Sequence, residues 1–143
     1  MSNIVLDTGV WYTLCDSRDK TVPRRTIEDI YEGLRFHSVI LPWPVAYEVL
    51  RTRFVKNRLA LARFEQEIKS PRSILLDDTP YRDRAIELAF ESSLRRNRPL
   101  SMVDCLIRLL LEDPNVRVRK LVTFNERDFV DVCRTNRIEL SSR

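Results

Sequence analysis

Five residues are of the types and in the places that could do chemistry: Asp7, Glu48, Asp104, Asn125 and Asp128. Carboxylate and amide oxygens select hard cations such as Mg2+ or Mn2+ over softer metals. Ions of this kind activate water and stabilise the leaving oxygen of a phosphodiester, so a cluster of these residues points to metal-assisted cleavage of nucleic acid. Other chemistries have little support. His37 is the one histidine, and Cys15, Cys105 and Cys133 are widely spaced, which leaves no zinc pattern, no disulfide framework and no nucleophilic triad around the acids. With Gly9 and Gly33 as the two glycines, no phosphate-cradling loop is present, and nucleotide-dependent chemistry is not expected.

Each acid also has a plainer reading. Asp7 could cap a helix that starts at Thr8. Glu48 could be a solvated helix residue neighbouring Arg51 and Thr52, and Asn125 with Asp128 could form an ordinary turn. Asp104 is harder to dismiss. It interrupts the apolar run from Met102 to Leu111, where an uncompensated carboxylate is costly and first-turn dipole stabilisation of about 0.3 to 1 kcal/mol does not offset full burial. The acidic stripe Asp83, Glu87 and Glu91 reads as a solvated face, and Asp77 and Asp78 as part of a turn.

The elements that must position these residues follow from short apolar runs and helical spacing. Ile4 to Leu6, Val39 to Leu41, Ile74 to Leu76, Lys120 to Thr123 and a weaker Arg137 to Leu140 read as strands. Helices are expected after Asp7, from Pro23 as an early helical residue, from Val45 to Ile68 with a break near Asn57, from Thr79 as N-cap to about Asn97, and from Ser101 as N-cap to Pro114. Strands separated by helices imply a parallel sheet covered on both faces. In such a sheet the ligand site lies off the carboxyl ends of the strands, where Asp7, Glu48, Asp104 and Asn125 could all face one cavity.

Length and composition set the frame. The 143 residues suit a single domain, residues 1–143, with a core large enough to fold without disulfides or structural zinc. A hydrophobic share of 43% against 32% charged residues excludes disordered and membrane-spanning classes. The formal charge of +4 permits a polyanionic partner. Of the 25 basic residues only Lys20, Lys56, Lys69 and Lys120 are lysines, and arginine's planar fork suits phosphate. Arg51, Arg53, Lys56 and Arg58 form a basic stretch that could line an RNA groove or simply be solvated. The amino-terminal residues show neither a basic leader nor a long apolar run, which reads as cytoplasmic.

Four segments together resemble the PIN-domain ribonucleases, and among them the VapC-type toxins of toxin-antitoxin pairs. Asp7-Thr8-Gly9-Val10 is similar to the family's opening motif and Ala46-Tyr47-Glu48-Val49-Leu50 to its second. Leu100 to Ile107, with Ser101 three residues before Asp104, resembles the third, and Leu121 to Phe129, carrying Thr123, Asn125 and Asp128, the fourth. The resemblance implies a three-layer α/β/α sandwich with a central parallel sheet of four to five strands. It also implies an acidic pocket for Mg2+ or Mn2+ and endonucleolytic cleavage of single-stranded RNA. Asp7, Glu48 and Asp104 match the acidic triad, Asn125 the fourth position, and Thr8, Ser101 and Thr123 supporting hydroxyls. The fourth position is here an amide, which leaves open whether Asp128 supplies the missing charge. The resemblance further implies a homodimer and a cognate antitoxin that places a basic side chain among the acids and covers a surface to which Trp11, Tyr12 and Trp43 could belong. The alternatives are a non-catalytic PIN-like module binding RNA or protein, and a PIN nuclease of RNA processing without an antitoxin.

Overall fold

The computed structural model describes residues 2–16, 18 and 22–141. Five strands form one all-parallel sheet in the order β3-β2-β1-β4-β5: β1 Asn3–Leu6, β2 Ser38–Pro42, β3 Ser73–Leu76, β4 Val118–Val122 and β5 Glu139–Ser141. Parallel strands need crossovers, and helices on both faces supply them, giving the expected α/β/α sandwich. The central strands are buried on both sides. Val5, Leu6, Leu41, Leu121 and Val122 are each no more than 2% exposed, which explains why they read as continuous apolar runs with no polar alternation.

The chain builds β1, β2 and β3 outward in one direction, then returns to the other side of β1 with β4 and β5. The reversal falls between β1 and β4. In an open parallel sheet that is the switch point, where the loops leaving two neighbouring strands part and open a crevice. Asp7 follows β1 directly and Thr123 follows β4 directly.

The helices are α1 Thr8–Cys15, α2 Arg24–Leu34, α3 Trp43–Val49, α4 Thr52–Val55, α5 Arg58–Ile68, α6 Arg82–Phe90, α7 Met102–Glu112 and α8 Val130–Thr135. Helix α1 packs on α3 and α5, and α7 packs between α6 and α8. Leu106, Ile107, Leu110 and Leu111 of α7 are buried, as its apolar stripe requires. Cys15, Cys105 and Cys133 are free and buried, and burial pushes the Cys15 thiol up to about 12 and that of Cys133 to about 11. Thiols held so far above neutrality are core residues with no nucleophilic use. Among the described residues no helix is long and apolar enough to cross a membrane.

Several boundaries differ from the sequence expectation for local reasons. The helical stretch expected from Val45 to Ile68 breaks near Asn57 as expected and also once more, because the backbone turns out of helical geometry at Leu50 and is extended at Arg51 before α4. Asn57 then caps α5, its side chain accepting from the Ala60 amide at 3.3 Å. Pro23 lies one residue before α2. Thr79 is the first residue of a short 3-10 turn, Thr79–Tyr81, and Asp77 takes the expected capping role by accepting the Thr79 N–H and O–H. Helix α6 widens into a π-turn over Glu91–Arg95, and Asn97 ends the run with φ 52. Strand β5 starts at Glu139, since Arg137 has φ 56 and left-handed backbone cannot enter a strand.

Candidate active site

Asp7 is held at the end of β1 by its own amide, which donates to the Val122 carbonyl at 3.0 Å and so extends the β1-β4 ladder by one residue. Its carboxylate does cap α1, with Oδ1 accepting the Thr8 N–H at 2.8 Å. The cap leaves Oδ2, which accepts the hydroxyl of Thr123 at 2.9 Å. Thr123 is fully buried, and its Oγ1 in turn accepts the Asn125 amide at 3.0 Å. One hydroxyl thus ties the residue after β1 to the loop after β4. The side-chain amide of Asn125 donates to Asp128 Oδ2 in a short hydrogen bond.

Glu48 approaches from α3. Its inner neighbours Val45, Ala46 and Val49 are buried, which turns the half-buried Glu48 toward α1. There Thr8 Oγ1 donates to Glu48 Oε1 at 2.6 Å, and Tyr12, one helical turn along α1, donates its hydroxyl to the Glu48 carbonyl at 2.5 Å. Arg51 does not pair with Glu48. Its Nε donates to Tyr12 Oη at 2.8 Å and its guanidinium lies 5.4 Å from the centre of the Tyr12 ring. Thr8 therefore serves both acids, Asp7 through its amide and Glu48 through its hydroxyl.

Asp104 comes from the opposite side, in the first turn of α7. Ser101 Oγ accepts the Asp104 amide at 3.0 Å and fixes the start of that helix. The Asp104 carboxyl is pushed up to about 6, first by burial, then by the negative charges of Asp7 and Asp128, with the Ser101 hydrogen bond pulling the other way. The charges of Asp7 and Asp128 therefore act on Asp104, although the three come from the end of β1, the turn after β4 and the first turn of α7. Among the described residues no Arg or Lys ion pair neutralises Asp7, Glu48, Asp104 or Asp128. Nor are three His, Cys, Asp or Glu side chains already grouped there as a metal cage. Glu48 is directed at Thr8 and Asp128 at Asn125.

The donor chemistry nonetheless fits a hard cation: every candidate ligand is an oxygen, and the crowded charges lack a counter-charge.

One supporting contact was not foreseen. Arg108 of α7, its side chain 12% exposed, donates to the Asp128 carbonyl at 2.7 Å and to both Asp131 oxygens at 2.7 and 2.8 Å. These bonds fasten the Glu126–Asp128 turn and α8 to α7, and thereby Asp128 to Asp104. The Arg108 and Arg98 guanidinia hold the Asp131 carboxyl far below the usual carboxylate range. Arg108→Met is expected to lower stability by about 2 kcal/mol, less than a fully buried pair because Asp131 is half exposed. Because the folded state depresses the Asp131 pKa, this contribution is complete above the ordinary carboxylate range and fades as pH falls below about 4. Urea unfolding of both proteins at neutral and acid pH checks it: a gap that fails to narrow in acid removes Asp131 from the account.

The aromatics expected at a partner surface separate. Trp11 is core, Tyr12 is the half-buried link to Glu48, and Trp43 is 42% exposed. Asp78, expected in a solvated turn, is 4% exposed, its carboxylate engaged by Arg82 Nε and Nη2 at 2.9 and 3.0 Å. The spacing of Asp78 and Arg82, one helical turn apart, is the signal that could have revealed it. Arg51, Arg53, Lys56 and Arg58 are all exposed, at the end of α3 and around α4. No protein-family model matches the chain, and no curated protein matches it.

Proposed function

We propose that this chain is a Mg2+- or Mn2+-dependent endoribonuclease of the PIN type that cleaves single-stranded RNA, and that it acts as the toxin of a toxin-antitoxin pair. The observation that carries the chemistry is that Thr123 ties Asp7 to the Asn125–Asp128 turn at the β1-β4 switch point, with no Arg or Lys ion pair on these carboxylates among the described residues. Asp7, Glu48 and Asp104 would hold the metal, with Asn125 and Asp128 completing the oxygen set. When bound there, a divalent ion supplies an activated water and charge stabilisation for the departing oxygen of a phosphodiester. The protein's own part is orientation. Thr123 and Thr8 aim the oxygens of Asp7 and Glu48, Ser101 sets the first turn of α7, and Asn125 steers Asp128.

The regulatory half of the proposal rests on the motif resemblance and on charge. A basic side chain from an antitoxin inserted among these acids would supply the counter-charge that none of the described residues provides. The exposed Ile86, Phe90 and Leu94, spaced by four residues along α6 and its π-turn, support the homodimer. The experiment is incubation of the purified protein with single-stranded and duplex RNA in Mn2+, Mg2+ or EDTA. Cleavage of the single strand that requires the metal is expected. Binding without cleavage in either metal would assign the chain to the non-catalytic alternative.

A further inference from the structure

Beside the acidic site, on the same carboxyl edge of the sheet, lies a second cleft of about 550 Å3 lined by Trp43, Pro44, Tyr47, Asp77, Asp78 and Arg82. It sits where β2 and β3 end, since Pro42 pairs with Leu76 and the next residues, Trp43 and Asp77, enter its wall. Its volume is that of a small-molecule site, roughly 300 to 1,000 Å3. Helix α3 serves both places. Its Glu48 side faces Thr8, and its Trp43 and Tyr47, four residues apart, face the cleft with ring centres 6.4 Å apart.

Three features of the cleft suit a flat, polar, aromatic ligand. Trp43 and Tyr47 are 42% and 75% exposed, a large aromatic surface left to solvent. Arg82 is held rigid by its two bonds to the buried Asp78, which leaves Nη1 with donors to spare. Asp77 spends Oδ1 on Thr79 and keeps Oδ2 as an acceptor. Rings for stacking, a fixed donor and a carboxylate acceptor are the groups that read the edge of an unpaired guanine, which offers acceptors at O6 and N7 and donors at N1 and N2.

We infer that this cleft seats an unpaired nucleobase of the RNA, guanine above the others, stacked on Trp43 and Tyr47 while a neighbouring phosphodiester reaches Asp7, Glu48 and Asp104. The inference rests on the ribonuclease reading and deepens it by naming a base-recognition subsite. It also accounts for the preference for single strands, because a paired base cannot enter the cleft without leaving its helix.

Tryptophan emission provides the test, because Trp11 is 1% exposed and Trp43 is the other of the two tryptophans. The Asp104→Asn protein is titrated with an oligouridylate and with the same oligonucleotide carrying one guanosine. Expected are saturable quenching and tighter binding of the guanosine oligonucleotide, and filter binding, which does not depend on the Trp43 reporter, should show affinity lowered about ten-fold in Trp43→Ala, within the range that base stacking contributes. Trp43→Phe, which keeps a ring, recovers most of the loss, and thermal unfolding shows the variants folded. Equal binding of the two oligonucleotides, or unaltered affinity in Trp43→Ala, overturns the inference. If the parent protein with Mn2+ still cuts RNA in that case, the ribonuclease reading stands alone. RNA cut without quenching leaves the cleft to a protein partner and likewise overturns it. RNA neither bound nor cut by the parent removes both readings.

Discussion

Asp104→Asn is expected to abolish cleavage and, in EDTA, to make the protein more stable. The two effects have opposite signs because the same charge that holds a cation is a burden without one. Loss of a metal ligand removes several kcal/mol of transition-state stabilisation, a fall in rate of about a thousand-fold. Folding responds in the other direction, since the Asp104 carboxyl rises from 3.8 to about 6 in the folded state. Below the lower value both states hold the proton and no penalty exists. Between the two values the folded state keeps a proton that the unfolded chain releases, so stability falls as pH rises, and above about 6 the penalty is complete. A shift of this size corresponds to about 3 kcal/mol at most, and partial exposure of the carboxyl reduces it to about 1 kcal/mol. The substitution leaves the Ser101 cap in place, because that bond uses the Asp104 amide. Urea unfolding in EDTA at pH 4 and pH 7 should show the variant gaining only at the higher pH. A variant less stable than the parent at pH 7 would make Asp104 a structural residue.

The strands and the placement of the acids were legible because both are local. Ile4-Val5-Leu6 followed by Asp7 announces a buried strand and a residue at its carboxyl end, and Ser101 followed by Asp104 announces a helix start with an acid in an apolar helix. What remained hidden depends on residues far apart in the chain. Thr8 meets Glu48 across 40 residues and Thr123 meets Asp7 across 116, so no spacing rule connects them. The Arg108 clamp on Asp128 and Asp131 joins two elements whose packing is set by the sheet. Asp78 was misread for a related reason. A turn composition of Asp, Asp, Thr and Pro is ordinarily solvated, but that carboxylate is gripped by Arg82 and lies in a cleft that Trp43 and Tyr47 of α3 also line. The Trp43 and Tyr47 face likewise depends on β3 ending beside β2.

Neutralising Arg53, Lys56 and Arg58 together is expected to weaken binding to single-stranded RNA of any sequence. Each lost phosphate contact lowers the slope of log K against log salt by about 0.7, or about 2 for the three. Among the described residues none of them is paired with a carboxylate, so their charges are available to a ligand. The other arginine cluster is partly spent. Arg96 pairs with Glu91 at 3.0 Å, and Arg98 bonds Asp131 and the Arg127 carbonyl. Arg51 is a separate case, because it sits on Tyr12, whose hydroxyl grips the Glu48 backbone. Arg51→Gln should therefore reduce the cleavage rate at saturating RNA as well as the salt slope, while the triple variant changes affinity alone. Base preference should persist in both, since phosphate contacts position a strand and do not read it. Filter binding across a salt series, with Asp104→Asn added to each protein to prevent cleavage, measures the slopes, and single-turnover cleavage by Arg51→Gln with Asp104 intact measures the rate. An unchanged slope in the triple variant would move the backbone groove away from α4, with Arg95 as the remaining uncommitted arginine beside α7.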